Sequence, residues 1–197
     1  MTRYENLMSV IRSRRSVRTY KPDPVSDETI QQVVDAGKWA PSGNNSQPLE
    51  IVAIKDRKIM DQVAGILQKV HGSRAKQDFG APVTLLVLGD PRLRNAYPRG
   101  PFRDEILHAS LAAAIENMLL ASAALGLGGS VWKTVSPTAG VLIKELLVIP
   151  QLFILQAMLP LGYPTGDVKP PPKREVTVHE NRYDPDKFKS DEEIDRI

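Results

Sequence analysis

Residues 104–129 read DEILHASLAAAIENMLLASAALGLGG, and this stretch limits the possible folds more than any other. Apolar side chains occupy nearly every face of a helix drawn over residues 104–125, with Glu116 and Asn117 as the exceptions. A helix of this kind is buried on most sides. The glycine-rich residues 126–129 end it. We therefore expect one long core helix with the rest of the chain arranged around it.

The other predicted elements surround this helix in an order that argues against a regular βαβ repeat. Helices are predicted at 4–12, at 27–39 after an N-cap at Ser26, at 57–70 and from Pro137, and strands at 49–55, 83–88 and 151–162. Helices come first, then strands separated by helices, and no Gly-x-Gly-x-x-Gly follows a strand. The pattern predicts an α+β fold or a three-layer sandwich.

Composition excludes several classes of chemistry. The 197 residues are enough for one domain with a sizeable core. The chain has no cysteine and only three histidines, so disulfides, thiolate metal sites and cysteine nucleophiles are excluded, and a multi-histidine metal site is poorly supported. An enzyme of this composition would need an organic cofactor. The N-terminus has no apolar signal core, and prolines interrupt the uncharged stretch 146–166, so we expect neither export nor a membrane span.

Two basic stretches are candidate anion sites. Arg14, Arg15, Ser16 and Arg18 end the first helix, and forked guanidiniums beside a hydroxyl suit a phosphate. Lys173 and Arg174 follow three stiff prolines, which would deliver both cations to a defined place. The alternative is a solvated helix end and a solvated tail, because charge runs are usually surface.

Two loops are candidate ligand contacts. Residues 40–48, APSGNNSQP, offer amides that suit the edge of a planar heterocycle or a sugar chain, although ordinary turn chemistry also explains them. Residues 126–134, GLGGSVWKT, contain glycines that let backbone approach a ligand, although a helix C-cap also uses glycine.

In this order the four motifs resemble those of the nitroreductase family, from about Ile11 to Val178. The resemblance implies a single FMN-binding domain over residues 1–197, with a mainly antiparallel central sheet flanked by helices. It also implies a homodimer that exchanges an extended C-terminal arm, about residues 165–197. One departure is Leu49, where many relatives carry tryptophan after Gln-Pro.

The resemblance also implies roles for individual residues. The first arginine motif would hold the FMN phosphate and ribityl chain, the asparagine loop would line the flavin partly from the partner subunit, and the segment after the glycines would place backbone donors near flavin N5. The late basic pair would return to the phosphate, with Arg174 the stronger of the two. The implied residues are Arg14, Arg15, Ser16, Arg18, Pro41, Ser42, Gly43, Asn45, Gln47, Trp132, Lys133, Thr134, Lys173 and Arg174. Because the flavin does the chemistry, no catalytic side chain is expected.

The expected function is a cytoplasmic oxidoreductase. It would pass hydride from NADH or NADPH through FMN to a quinone or nitroaromatic by a ping-pong mechanism, and loop 90–103 would shape the acceptor pocket. Within the family, flavin fragmentation or reductive dehalogenation is the alternative. Outside it, the alternatives are an FMN-binding protein without turnover and a nucleic-acid-binding module that uses residues 12–18. The nucleic-acid reading lacks a helix-turn-helix signature and an aromatic ladder.

Overall fold

The protein is described by a computed structural model over residues 1–72, 80–96, 102–127 and 132–188. Gly128, Gly129, part of loop 90–103 and the end of the predicted arm lie outside these residues. The described helices and strands are α1 (Arg3–Ser13), α2 (Asp27–Lys38), β1 (Leu49–Ile54), α3 (Arg57–His71), β2 (Val83–Gly89), α4 (Arg103–Ala124), α5 (Pro137–Leu146) and β3 (Ile154–Leu161). Short 3₁₀ turns lie at Gly43–Asn45, Pro91–Ala96 and Pro185–Lys187.

The three strands form an antiparallel sheet in the order β1-β2-β3. Leu49 pairs with Gly89, and Val83 pairs with Leu161. The register between β2 and β3 shifts once, between Val87 and the next residue. Every residue of the central strand β2 is buried. This explains why its sequence, VTLLVLG, lacks the alternation of polar and apolar residues seen in half-exposed strands.

Successive side chains of β2 point to opposite faces of the sheet, and each face meets a layer of helices. Leu85 and Val87 lie in a core cluster with apolar side chains of α2 and α4. Leu86 and Leu88 lie in a second cluster with side chains of α3 and α5. The chain therefore has three layers around an antiparallel sheet, and the predicted α+β class is confirmed.

Helix starts follow the capping signals in the sequence. The Ser26 Oγ accepts a hydrogen bond from the Thr29 backbone N–H at 3.1 Å, as expected of an N-cap. Ser136 caps α5 in the same way, and Pro137 occupies the first helical position. Both predicted starts are confirmed.

The last strand begins later than the sequence indicates. A strand was expected over 151–162, but β3 begins at Ile154. The Phe153 N–H donates to the Pro150 carbonyl at 3.1 Å and closes a turn. The Lys144 ammonium donates to the Gln151 and Phe153 carbonyls at 2.8 and 2.9 Å. Because the lysine takes these carbonyls, the chain joins the sheet only after the turn.

Helix α2 lies close against α4. The Asn117 side-chain amide donates to the Ala36 carbonyl at 3.2 Å. A Cβ built on Gly37 would lie 2.8 Å from Cγ and 2.9 Å from Sδ of Met118. The absence of a side chain at Gly37 therefore sets the distance between the two helices.

Helix α4 is long and apolar enough to cross a membrane by length and composition. Eight of its residues are nevertheless buried in the core. The expectation of burial on most sides is only partly met within one chain, because His108, Ala109 and Glu116 are exposed. The same helix thus has a core face and a face turned away from the core.

Beyond Pro164 the chain leaves the core. Residues 165–178 are all exposed, and no helix or strand is assigned to residues 167–179. The base of this arm is fixed, because the Thr165 N–H donates to the Thr19 carbonyl at 3.3 Å and their hydroxyls lie 3.0 Å apart. The polar arm predicted from the sequence is present, and its exchange in a dimer stays a prediction.

Candidate active site

The two basic stretches of the sequence approach each other because the chain after α1 runs beside the chain after β3. The Lys21 N–H donates to the Tyr163 carbonyl at 2.8 Å, and Tyr20 forms an isolated β-bridge with Pro164. We call this pairing the clasp. It joins parts of the chain that lie about 140 residues apart in sequence, and it places the end of α1 beside the base of the arm.

A cavity of about 470 Å³ opens between the end of α1 and the arm, and we call it the basic cavity. Three arginines and one lysine line it together with a single carboxylate: Arg12, Arg14, Arg15, Lys173 and Glu116. Four cations around one acid leave an excess of positive charge, which suits a dianionic phosphate. The structure thus brings Arg14, Arg15 and Lys173 together, as the sequence indicated.

The two adjacent arginines do different things. Arg15 donates from Nε to the Val168 carbonyl at 3.1 Å, and its Nη1 donates to the carbonyls of Arg12 and Arg14. These bonds hold the arm against α1. Arg14 is half-buried, and its side chain makes no hydrogen bond or ion pair with the described residues. Its guanidinium fork therefore remains available to an anion.

Other predicted phosphate ligands lie beside the basic cavity. Arg18 is exposed and donates from Nη1 to the Ser16 carbonyl at 3.3 Å. Lys173 lines the basic cavity, whereas the described Arg174 is exposed and is not part of its lining. The ranking of Lys173 and Arg174 as phosphate ligands stays a prediction. The roles of Ser16, Arg18 and Arg174 toward a cofactor stay predictions.

The asparagine loop, residues 40–48, has an unusual backbone. Asn44, Asn45 and Gln47 have φ values of 46°, 53° and 50°. This left-handed region is sparsely populated by residues with a side chain, and asparagine tolerates it better than most. Such conformations persist where the surroundings hold them and are concentrated at functional sites. The polar side chains of all three residues are exposed.

Hydrogen bonds fix this loop to the core. The Gln47 N–H donates to the Ser42 hydroxyl at 3.0 Å, and the Gly43 N–H donates to the Ser110 hydroxyl of α4 at 3.2 Å. Pro41, Ser42 and Gln47 line a second cavity of about 360 Å³, which we call the loop cavity. Among the described residues, it shares no lining residue with the basic cavity.

The segment after the glycines lies along the outer edge of β3. The Lys133 N–H donates to the Met158 carbonyl at 3.1 Å, and the Met158 N–H donates back at 2.9 Å. Trp132 packs against the first core cluster, and its buried Nε1 has no acceptor among the described residues. Thr134 lines a third cavity, the α5 cavity, of about 510 Å³. The three predicted flavin contacts are thus adjacent, without sharing a cavity with the arginines.

Asp90, which directly follows β2, secures the far end of the asparagine loop. Its N–H donates to the Pro48 carbonyl at 3.0 Å. Its carboxylate, only 7% exposed, accepts three hydrogen bonds from the Arg92 guanidinium, at 2.9, 3.1 and 2.6 Å, and a fourth from the Arg92 backbone N–H at 2.9 Å. Hydrogen bonding to Arg92 holds the pKa of Asp90 below its ordinary value. Sequence reasoning missed Asp90 and Ser110, although an acid immediately after a buried, largely apolar strand was an available signal.

The family model described as "Nitroreductase family" matches residues 11–163, well over half of the chain. The chain belongs to the nitroreductase family. Membership makes the protein an FMN-dependent oxidoreductase, and the family resemblance inferred from the sequence is confirmed.

Individual relatives of the family show the extent of the similarity. The chain is 30% identical over 186 residues to a protein of Archaeoglobus fulgidus provisionally assigned as an NADH dehydrogenase/NAD(P)H nitroreductase, across 93% of this chain and 97% of the relative. It is 27% identical over 196 residues to the iodotyrosine deiodinase of Danio rerio, across 87% of this chain and 64% of the relative. A solved structure of a provisionally assigned nitroreductase from Desulfovibrio desulfuricans in complex with FMN has 31% identity and a TM-score of 0.71, across 90% of this chain and 98% of the other.

The residues of this chain fit FMN at its phosphate end. The basic cavity carries an excess of positive charge, and the Arg14 side chain makes no hydrogen bond or ion pair with the described residues. For the ring, the single chain offers the asparagine loop and the Trp132 segment in separate cavities. The donors expected of a flavin site are therefore present, but one chain does not gather them into one cavity.

Proposed function

We propose that this protein passes hydride from NADH or NADPH to an electron-poor acceptor, such as a quinone or a nitroaromatic. The observation that carries the proposal is the basic cavity, where cations from α1 and from the arm surround a space of about 470 Å³. The Archaeoglobus fulgidus relative, assigned as an NAD(P)H nitroreductase, supports the choice of donor and acceptor.

Each residue has a distinct task in this proposal. FMN, when bound, supplies the redox centre that takes hydride from the nicotinamide and passes it on. Arg14 binds the phosphate through its free fork, and Lys173 adds a second positive charge. Arg15 holds the arm so that Lys173 stays in place. The backbone of Lys133, fixed on β3, presents the neighbouring amides to the ring.

A second subunit completes the site in this proposal. The loop cavity and the basic cavity are separate within one chain, and the amide side chains of Asn45 and Gln47 face solvent. Helix α1 buries none of its residues and leaves Tyr4 and Leu7 exposed at 69% and 53%. A homodimer that exchanges its arms would cover these surfaces and bring the asparagine loop to the partner's flavin. We expect an interface of about 2,000 Å² or more.

The test of the phosphate site compares two arginine variants. Arg14→Ala should weaken FMN binding about 10- to 150-fold, because a charge-assisted hydrogen bond contributes about 1.5–3 kcal/mol. Arg57→Ala, on α3 at the opposite face of the sheet, removes the same charge and should leave FMN affinity unchanged. Quenching of free FMN fluorescence during titration measures both. Equal affinity in the two variants would refute the assignment, and a protein that refuses FMN would refute the function.

The test of the dimer is the molar mass at assay concentration. Light scattering on the FMN-loaded protein should give twice the chain mass of 21.8 kDa. A fully active species at the mass of one chain would overturn the shared site.

Reductive dehalogenation is the second candidate, because the Danio rerio relative is an iodotyrosine deiodinase. A reduced, anaerobic sample should release little iodide from iodotyrosine while it reduces a quinone rapidly. Iodide release that matches quinone reduction in rate would favour the second candidate instead.

A further inference from the structure

The α5 cavity contains polar groups that the proposed flavin site does not use. It lies between the first turns of α4, helix α5 and the start of β3. Its described lining includes two side chains that can carry positive charge, His108 and Lys144, and no acidic side chain. Such a combination suits a ligand with a negative charge.

Lys144 is the first of these groups. Only 9% of the residue is exposed, and its ammonium donates to two backbone carbonyls, those of Gln151 and Phe153. A lysine has three N–H donors, so one remains. No carboxylate among the described residues lies within ion-pair distance of it. Because a buried charge without a counter-charge is costly, an anion in the α5 cavity would be bound favourably.

His108 is the second group. Its Nδ1 lies 2.6 Å from the side-chain oxygen of Gln156, which accepts the hydrogen bond. Nδ1 therefore carries a proton, and Nε2 can donate a hydrogen bond to a carboxylate when the ring is an imidazolium, in which both nitrogens are donors. Ser136 adds a polar group on the α5 side, and its hydroxyl lies 3.1 Å from Nε2 of His71. The side chains at this wall are thus already oriented by protein contacts.

The centre of the α5 cavity is open and largely apolar. Gly140 lies on the wall formed by α5, and a Cβ built on it would meet no heavy atom within 4 Å. Val141 and Leu155 also line the space. A volume of about 510 Å³ accommodates a substituted aromatic ring. Thr134, from the segment assigned to the flavin, lines the same cavity.

We propose that the α5 cavity binds the carboxylate of an aromatic acceptor, with His108 and Lys144 as its polar contacts. This inference rests on the proposed function, because it names the acceptor class of that site. The reduction of a nitrobenzoate illustrates how the atoms and electrons of this reaction balance. NAD(P)H supplies two electrons and one proton, solvent supplies a second proton, and one N–O bond breaks, so that the nitro group becomes a nitroso group and water leaves.

The first experiment measures selectivity with the FMN-loaded protein. The ratio of kcat/KM for 4-nitrobenzoate to that for the neutral 4-nitrobenzyl alcohol should exceed about tenfold, the scale of one charge-assisted hydrogen bond. His108→Gln and Gly140→Leu should each bring the ratio toward one, mainly through KM for the carboxylate. The matched control, Lys58→Ala on α3, removes an exposed cation and should keep the wild-type ratio. A ratio near one in the wild type, or one unchanged in both cavity variants, would overturn the inference.

The second experiment needs no turnover, and it tests the carboxylate site separately from the proposed function. Benzoate should bind the oxidised, FMN-loaded protein in calorimetry, and Gly140→Leu should abolish binding because its side chain fills the α5 cavity. Since leucine favours helix over glycine, this variant is expected to fold. Benzoate binding that persists in Gly140→Leu, or no binding in the wild type, would overturn the inference. Absence of turnover with either nitro compound and with quinones would instead overturn the proposed function.

Discussion

Replacing Gly37 by alanine should destabilise the protein, although alanine is normally the better helix residue. In an unconstrained helix interior, replacing glycine by alanine would stabilise the protein by about 1 kcal/mol. Here the new methyl group would lie 2.8 Å from Met118 Cγ and 3.2 Å from Leu49 Cδ2. Met118 is completely buried, so it cannot move without displacing its neighbours. Overpacking of this kind costs about 1–3 kcal/mol, which leaves a net loss of about 0–2 kcal/mol.

Gly65→Ala is the matched control, because Gly65 lies inside α3 and its added methyl group would touch nothing within 4 Å. That variant should gain about 1 kcal/mol, so the two variants should differ by about 1–3 kcal/mol. Urea unfolding followed by circular dichroism, at one fixed FMN concentration, measures the difference, since bound ligand adds stability of its own. If Gly37→Ala were stabilised as much as Gly65→Ala, the close approach of α2 and α4 would not be the constraint we infer.

Other predictions concern the backbone, pH and kinetics. Val148 is 90% exposed and has a φ of 55°. Val148→Gly should raise the stability of the protein by about 1 kcal/mol, because it removes backbone strain and loses little packing. An unchanged urea midpoint would contradict this. Hydrogen bonding to Arg92 lowers the pKa of Asp90 in the folded protein. The contribution of this pair to folding stability is therefore complete above the pKa of Asp90 in the unfolded chain, about 3.9, and is lost as pH falls through its lower pKa in the folded protein. Asp90→Asn should therefore reduce the loss of folding stability at low pH. An unaltered slope of stability against pH would contradict this role of Asp90. Double-reciprocal plots of donor against acceptor should be parallel, whereas intersecting lines would indicate a ternary complex.

The sequence predicted those elements whose cause is local. The largely apolar run in β2 indicated a buried strand. Ser26 and Pro137 marked helix starts, because capping depends on neighbours within one turn. The meeting of the first arginine motif with Lys173 followed from family resemblance and was then found as the basic cavity.

The parts that could not be predicted depend on partners far along the chain. Nothing local distinguishes Arg14 from Arg15, because the difference is a bond from Arg15 to a carbonyl 153 residues away. The later start of β3 depends on Lys144, whose ammonium takes two carbonyls that an extended strand would have given to its neighbour. Hydrophobic periodicity carries no information about either contact.

The clasp has a consequence for how the protein is made. Lys173 comes after helices α1–α5 and strands β1–β3 in the sequence, yet the basic cavity needs it beside Arg14. During synthesis the layered core could therefore form on the ribosome before any phosphate site exists. A chain interrupted after β3 would have a folded interior but lack part of the site proposed for the flavin. Only chains translated beyond Lys173 would then be able to form the complete site proposed for the flavin.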